Sequence, residues 1–348
     1  MRTALSRRAA LAGAVAALSL LPAQSLSAAT PQSAKATTTV SIALSWTPNT
    51  DYTGVYVANE LGYYKSRGIA VKIIPYASTA PETLVAHGRA DFAFSYQAGI
   101  AYAHAAGHDV VGVFVPDQKG TYAIGVRANN TAIRTPKDLD GKTYAGFGSP
   151  DELPELQYVI KHAGGKGVFK DVTLNTSAYD AVYGGRADFT IPAVTWEGVQ
   201  AKLAGKPLKY FRFEDYGFPA QYSNVIASSS KYLKANADTA RAFLAATQQG
   251  YAYAASHPHK AAALVIKANP GVFKQPQLVY QSQALLTSGG YLRNAKGQVG
   301  PASPQVWKKY GNFLYSNGLL VDGNGKKLTS EPDWSTYYTN AYLPAAGQ

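Results

Sequence analysis

The chain has 348 residues, of which 46% are hydrophobic and 16% charged, so it can bury the cores of two domains and lacks the composition of a disordered protein. It contains no cysteine, which excludes disulfides, thiolate metal sites and cysteine nucleophiles. The formal net charge of +12 comes from scattered lysines and arginines without any nucleic-acid-binding motif, so we interpret it as a solvated surface and predict no nucleic-acid partner.

The N-terminus has the pattern of an export signal. Arg7 and Arg8 precede an apolar segment over residues 9–21, and small residues follow at 25–29. We predict a cleaved signal peptide over 1–29, a flexible lead-in over 30–38, and a soluble mature protein in the periplasm or another extracytoplasmic space. The arginine pair fits either a twin-arginine signal or an ordinary secretory one.

The first predicted elements are a strand, a helix and a second strand. Val40 to Leu44 reads as a strand that Pro48 ends, residues 51–64 carry apolar side chains at helical spacing, and residues 69–76 form the next strand. Residues 79–82 have the sequence of a capping box, which predicts a helix up to residue 87 with its N-terminus beside Ser78.

A five-residue motif then occurs twice. Residues 88–92 read Gly-Arg-Ala-Asp-Phe and return in the same order at 185–189, each time after a helical pattern and before an apolar run. The glycine allows a helix to end in a left-handed turn, and the following residues enter a strand. A repeat of this kind predicts two similar α/β halves.

The carboxyl end of the first repeat points to a ligand cleft. Phe92 and Phe94 share one face of the strand, which leaves Ser95, Tyr96 and Gln97 at its end. Ligands of open α/β sheets bind outside the carboxyl ends of strands. Two such ends, one from each half, predict a shared cleft.

The remaining elements complete the two halves. Further strands are predicted at 110–116, 122–127, 143–147, 172–174, 209–213 and 225–227, with helices between them, a capping box at 149–152, and a helical region over 231–317 whose strongest part is 237–256. The order in the second half repeats that of the first. We therefore predict an α/β protein in which 39–124 and 226–348 form lobe I and 125–225 forms lobe II, each a mixed sheet flanked by helices, joined by two crossing strands as a hinge.

Several short motifs then resemble a known family. They are Leu-Ser-Trp-Thr-Pro-Asn at 44–49, the tyrosine- and glycine-rich stretch at 52–69, Ala-Asp-Phe-Ala-Phe-Ser at 90–95, Trp-Glu-Gly at 196–198 and Asp-Tyr-Gly at 215–217. In order and spacing they are similar to the thiamine-pyrimidine-precursor (NMT1/THI5-like) family, which includes binding proteins of ABC importers and pyrimidine synthases. The resemblance implies a type II periplasmic-binding-protein fold, a planar nitrogen heterocycle such as a formylamino-pyrimidine as ligand, and ABC permease subunits as partners. Relatives that bind riboflavin, sulfonates, taurine or nitrate remain alternatives, since Tyr52 stands where many pyrimidine binders have histidine.

Two tryptophans lead the predicted ligand-binding residues. Trp46 follows a strand end and offers a flat face for stacking, or else packs in the core or hinge. Glu197, beside Trp196, offers a carboxylate to the amino group and ring nitrogen of an aminopyrimidine, or else is a surface residue opening a helix. Asn49 either hydrogen-bonds a heterocycle or caps the next helix. The full set of candidates is Trp46, Asn49, Tyr52, Ser78, Ser95, Tyr96, Gln97, Ser149, Tyr183, Trp196, Glu197, Tyr216 and Tyr222.

An enzyme is the alternative from another class. The resemblance places Ser95 and Gly99 where the pyrimidine synthases carry a reactive lysine and histidine, and the cysteine-rich run of those enzymes has no counterpart. No serine-hydrolase elbow, zinc-protease motif or phosphate loop occurs. We therefore predict a monomeric binding protein for a small-molecule ligand, with no catalytic residue, cofactor or metal.

Overall fold

Ten strands run through the part of the chain that the structure, a computed structural model, describes, residues 37–344. They are β1 Thr38–Ala43, β2 Ile69–Ile74, β3 Phe92–Ser95, β4 Val111–Phe114, β5 Ile124–Arg127, β6 Thr143–Gly146, β7 Lys170–Thr173, β8 Phe189–Thr190, β9 Leu208–Phe211 and β10 Val225–Ser228.

Eleven α-helices accompany these strands within the same residues. They are α1 Thr53–Glu60, α2 Pro81–Ala86, α3 Gln97–Ala105, α4 Glu152–His162, α5 Ser177–Tyr183, α6 Glu197–Leu203, α7 Ser230–Ala235, α8 Ala237–Ser256, α9 Pro258–Ala268, α10 Pro276–Ser288 and α11 Pro304–Ser316. Short 3-10 helices occur at Thr50–Tyr52, Lys65–Arg67, Pro136–Leu139, Phe213–Tyr216 and Trp334–Thr336.

The strands form two five-stranded sheets of matching topology. The first has the order β2-β1-β3-β10-β4 and the second the order β7-β6-β8-β5-β9. In each sheet three neighbouring strands are paired in parallel. The strand that enters from the other half, β10 or β5, lies antiparallel to both of its neighbours, so the last strand, β4 or β9, has the direction of the first three. The predicted α/β architecture, two mixed sheets flanked by helices, is confirmed.

The sequence repeat makes the same turn in both halves. Gly88 and Gly185 adopt φ values of 66° and 76°, in the left-handed region that glycine enters at little cost. Each repeat aspartate then ties its strand to the neighbouring one: Asp91 Oδ2 accepts from the backbone N–H of Ser41 at 2.7 Å, and Asp188 Oδ2 accepts from that of Thr143 at 2.9 Å. The repeat therefore aligns β1 with β3 and β6 with β8, so that their carboxyl ends lie together.

Helix α8 fixes the position of α1, which begins at the mouth of the cleft. The two helices meet at Gly54 and Gly250, where a Cβ on Gly250 would overlap the backbone carbonyl of Gly54. Tyr251, the next residue on α8, donates its hydroxyl hydrogen bond to the backbone carbonyl of Asp51. The buried face of α8 thus holds the turn that precedes α1 in place.

The structure corrects several local predictions. Both predicted capping boxes are wrong, because Ala80 and Asp151 are the N-cap residues of α2 and α4 and neither makes a side-chain cap bond. Glu82 instead accepts from the Ser95 hydroxyl, and Glu152 accepts from the backbone N–H of Phe147 at 3.0 Å. The strand after the second repeat has only two residues, and the helix predicted over 51–64 is divided into the end of a 3-10 turn, α1 and a non-helical turn over 61–64.

Other predictions are not tested by the described residues. The signal peptide lies outside them, and so does most of the lead-in at 30–38. The lobe boundaries at 124/125 and 225/226 stay a prediction; each falls after the first residue of a strand, β5 or β10, that enters the opposite sheet. None of the helices within residues 37–344 combines the length and hydropathy of a membrane span.

The crossing of α1 and α8 predicts the effect of one added methyl group. Gly250→Ala should lower the free energy of unfolding by about 1–3 kcal/mol, because the backbones cannot separate without repacking both helices. Denaturant unfolding measures the change. Gln249→Ala, at the adjoining exposed position of α8, is the matched control and should leave stability within about 0.5 kcal/mol of the native chain. Equal stability of both variants would show that the helices do not make this close contact.

Candidate functional site

A cavity of about 350 Å³ lies between the carboxyl ends of strands from both sheets. Trp46 follows β1, Tyr96 follows β3, Phe147 follows β6 and Ile191 follows β8, and all four line the cavity. This is the edge of a parallel sheet at which α/β proteins bind ligands, and its volume is within the range of small-molecule sites.

Aromatic side chains form most of the cavity wall. Trp46 from the first half packs against Phe147 from the second, edge to face, with ring centroids 5.9 Å apart. The remaining aromatic rings of the wall are Tyr52, Tyr96, Tyr122, Tyr179, Trp196 and Tyr222. The half-buried indole of Trp46 leaves a face available to a planar ring.

Glu197 enters the cavity from the start of α6. The preceding residue, Trp196, is the N-cap of this helix, and the backbone N–H of Ala193 donates to Glu197 Oε2 at 3.1 Å. Only 6% of Glu197 is exposed, and burial raises the pKa of its carboxyl to about 8. Near neutral pH this carboxyl therefore holds a proton readily and can both donate and accept hydrogen bonds.

A second group of carboxyls lies where α3, α4 and α11 meet. Tyr102 on α3 donates to Asp151 Oδ1 at 3.2 Å, and Tyr310 on α11 donates to Glu155 Oε1 at 2.7 Å. Burial, and next the charge of Asp151, raises the pKa of Glu155 well above its usual value. These bonds join α4, which follows the second sheet's β6, to helices that pack on the first sheet.

The turn at Thr50–Tyr52 carries a third carboxyl. Asn49 caps this turn, with its Oδ1 accepting from the backbone N–H of Asp51 at 2.7 Å. Burial raises the pKa of Asp51 to about 6, and the nearby amide of Asn224 acts in the opposite direction. Asn49 therefore both caps the turn and lines the cavity, which combines the two interpretations of this residue.

The cavity has acidic groups without basic ones. Six carboxyl side chains line it, and the lining residues that the structure describes include no lysine, arginine or histidine. The one salt bridge found among residues 37–344 joins Lys267 Nζ to Glu60 Oε2 at 3.0 Å and lies outside the cavity. No group of three or more acidic or histidine side chains in that part of the chain has the arrangement of a metal site. The cavity therefore suits a ligand that supplies hydrogen-bond donors or positive charge.

Nine of the thirteen candidate residues line the cavity. They are Trp46, Asn49, Tyr52, Ser95, Tyr96, Ser149, Trp196, Glu197 and Tyr222. The geometry brings them together from both halves of the chain, as expected for a shared cleft. Their role in binding a ligand remains a prediction.

Four candidates lie outside the cavity lining. Ser78 is exposed in the loop before α2, and Tyr216 is half-buried in the 3-10 helix Phe213–Tyr216. Gln97 is buried, and its side chain is hydrogen-bonded within the protein: its Oε1 accepts from the backbone N–H of Tyr222 at 3.1 Å. Tyr183 donates to the backbone carbonyl of Glu197 at 3.2 Å and so supports that residue from behind.

Several cavity residues were missed. Phe147 follows β6 as Trp46 follows β1, so the repeat itself contains the signal for it. Asp51 lies two residues after Asn49, but the sequence pattern indicated it only as the first residue of a predicted helix and not as a site residue. The others are Ser45, Ala80, Pro81, Glu82, Tyr122, Asp151, Glu152, Glu155, Tyr179, Ile191, Ala193, Gln221, Ser223 and Asn224, which tertiary packing brings to the cavity.

Comparison with known proteins gives consistent matches. The sequence model of the NMT1/THI5-like family matches residues 49–261. A formylaminopyrimidine-binding protein of Halalkalibacterium halodurans is 27% identical over 288 residues, which cover 81% of this chain and 86% of that protein. A 4-amino-5-hydroxymethyl-2-methylpyrimidine phosphate synthase of Legionella pneumophila is 25% identical over 315 residues, which cover 88% of this chain and 92% of that protein.

The solved structures show the same fold. The periplasmic aliphatic sulphonate-binding protein SsuA of Escherichia coli superposes with a TM-score of 0.64 at 17% identity, over 86% of this chain and 91% of that one. At this identity the match establishes the periplasmic-binding-protein fold and says nothing about the ligand.

The raised pKa of Glu197 predicts a pH-dependent stability. Between its ordinary value of 4.5 and about 8, the folded state holds a proton that the unfolded chain has released, so this stabilisation is complete below pH 4.5 and is lost as the pH rises through 8. Glu197→Gln should reduce the loss in unfolding free energy between pH 5 and pH 8 by about 1–3 kcal/mol.

Denaturant unfolding at several pH values measures this slope. Glu331→Gln, at an exposed position outside the cavity, is the control and should keep the slope of the native chain. An unchanged slope in Glu197→Gln would show that this carboxyl is ionised at neutral pH in the folded state.

Proposed function

Because the chain belongs to the NMT1/THI5-like family, we propose that it is the extracytoplasmic solute-binding protein of an ABC importer. Its ligand is a planar nitrogen heterocycle, a formylamino-pyrimidine or a related thiamine pyrimidine precursor. The protein acts as a monomer that delivers this ligand to the membrane subunits of the importer. The observation that carries the proposal is an aromatic cavity between two sheets whose polar groups are carboxyls without basic partners.

Trp46 and Glu197 divide the recognition of the ring between them. The indole of Trp46 stacks on the ring face, which contributes about 0.5–1.5 kcal/mol beyond burial. The Glu197 carboxyl pairs with the ring edge, accepting from the amino group and sharing a proton with the adjacent ring nitrogen. Its raised pKa supports this pairing, because the proton can reside on either partner.

The ligand would bind by bridging the two halves. Trp46 belongs to the turn after β1 and Glu197 to the helix after β8, so one ring held by both links the first sheet to the second. Such a ligand stabilises the closed arrangement by as much as its affinity for the closed form exceeds its affinity for the open form. The importer's membrane subunits would then recognise the closed form, as in hinge-closing binding proteins.

The alternatives require groups that the described cavity lacks. A sulfonate or nitrate would face six carboxyls and no lysine, arginine or histidine among the lining residues. The synthase chemistry of one relative would need reactive groups, whereas the chain has no cysteine and Ser95 occupies the strand end of the first repeat. A binding protein therefore accounts better for these residues.

A ligand panel tests the proposal. A formylaminopyrimidine should raise the melting temperature and quench tryptophan fluorescence, whereas methanesulfonate and nitrate should do neither, and riboflavin serves as the larger-ring comparison. Trp46→Ala and Glu197→Gln should each weaken binding by about 10–100-fold, measured by calorimetry. Tyr216→Phe, outside the cavity lining, is the matched control and should bind like the native chain.

Recovery of the ligand separates binding from catalysis. After prolonged incubation the formylaminopyrimidine should be recovered chemically unchanged by chromatography. Consumption of the pyrimidine, or tighter binding of the sulfonate than of the pyrimidine, would contradict the proposal.

A further inference from the structure

Asp51 is held rigidly at the cavity wall. Its backbone N–H donates to Asn49 Oδ1 at 2.7 Å, and its backbone carbonyl accepts from the hydroxyl of Tyr251 on α8. The side chain is 8% exposed and lines the cavity. Because both backbone groups are fixed, the main chain of Asp51 is held in place at the cavity wall.

One oxygen of this carboxyl has no partner. Within residues 37–344, Asp51 Oδ1 is a buried acceptor to which no protein group donates. The other five carboxyls of the cavity lining each accept a bond from the protein: Glu82 from Ser95, Asp151 from Tyr102, Glu152 from Tyr144, Glu155 from Tyr310 and Glu197 from the backbone of Ala193. Among the hydrogen bonds of residues 37–344 none ends on the Asp51 carboxyl, so it is the lining carboxyl whose acceptor capacity is left for a ligand.

The surroundings of Asp51 keep its charge uncompensated. Asp117, Glu197, Tyr52, Tyr122 and Tyr251 are the titratable groups that face it, and none is basic. Asn224, which also lines the cavity, donates to Asp117 Oδ2 at 2.8 Å. Burial, and next the charge of Asp51, raises the pKa of Asp117 well above its usual value.

The protons therefore distribute unequally among these groups at neutral pH. Burial raises the pKa of Glu197 to about 8 and that of Asp51 to about 6. Burial also raises the pKa values of Tyr52, Tyr122 and Tyr251, so these tyrosines keep their protons. Glu197 is then mainly neutral, whereas Asp51 is mainly ionised. A buried carboxylate without a basic partner attracts a cation more strongly than the same group in water.

We propose that Asp51 is a specificity-determining residue that accepts an N–H bond from the ligand and makes the site select positively charged amino-heterocycles over neutral rings of the same shape. This inference rests on the proposed function and narrows its ligand class. Glu197 holds one edge of the ring, and Asp51 supplies the negative charge from the first half of the chain. The ligand class is a protonated or quaternary aminopyrimidine or aminopyridine.

A matched pair of probes isolates the charge. The 4-amino-1-methylpyridinium ion and p-toluidine have the same ring size, the same amino group and a methyl group opposite to it, but only the first is permanently charged. At pH 7.5 the native chain should bind the pyridinium at least about tenfold more tightly than p-toluidine. Competition with the fluorescence quench of Trp46 measures both affinities.

The Asp51→Asn variant keeps the shape of the side chain and removes its charge. Its preference for the pyridinium should fall at least about fivefold, while its affinity for p-toluidine changes less than about twofold. Asp238→Asn, which alters an exposed aspartate outside the cavity lining, is the control and should keep the native preference. Circular dichroism and thermal melting of each variant establish that it is folded.

A second measurement needs no variant. Because Asp51 takes up a proton near pH 6, the affinity of the native chain for the pyridinium should fall several-fold between about pH 7.5 and pH 5.5, although the probe itself does not titrate. Buffers of different ionisation enthalpy should report proton release on binding near pH 6.

The outcomes separate this inference from the proposed function. Equal pyridinium preference in the native chain and in Asp51→Asn, or a flat pH profile in the native chain, would overturn the role of Asp51 and leave the pyrimidine-binding proposal in place. Failure of the native chain to bind a formylaminopyrimidine or either probe would overturn both.

Discussion

Burial of carboxyl groups without basic partners is the constraint from which the properties of the site follow. Removing a charge from water is costly unless another charge or several donors replace the water. Here burial raises the pKa values of Glu197 and Asp117, which favours their neutral forms, and hydroxyl and backbone groups donate to the acids of α4. Asp51 keeps an acceptor that no described protein group satisfies. If the further inference is right, the ligand donates an N–H to Asp51, so its affinity depends on carrying that donor.

The doubled sheet explains how such groups are assembled in one place. Each repeat aspartate fixes two adjacent parallel strands in register, and the two sheets present the ends of those strands to one another. Side chains just past four strand ends thus converge from sequence positions far apart. The same topology places the crossing strands β5 and β10 in the opposite sheets, so that a ligand touching both halves acts on the relative position of the two sheets.

The sequence predicted those parts of the site that depend on local pattern. The repeat gave the strand ends and hence Ser95 and Tyr96, and the proline after β1 placed Trp46 and Asn49 at the cleft. It failed where a long-range contact decides. Glu82 resembled a helix cap, but it bonds Ser95, and Asp51 was assigned to a helix that in fact begins two residues later. The bond between Asn224 and Asp117 joins residues 107 positions apart, which no local pattern encodes.

The most direct test of the account is a crystal structure of the chain with its tightest-binding heterocycle. The account predicts the ring stacked on Trp46 inside the cavity, with its amino group and ring nitrogen at the Glu197 carboxyl and a second N–H within hydrogen-bond distance of the Asp51 carboxyl. A ligand bound outside this cavity would contradict it. So would a ring that turns carbonyl oxygens or an anionic group toward Glu197 and Asp51.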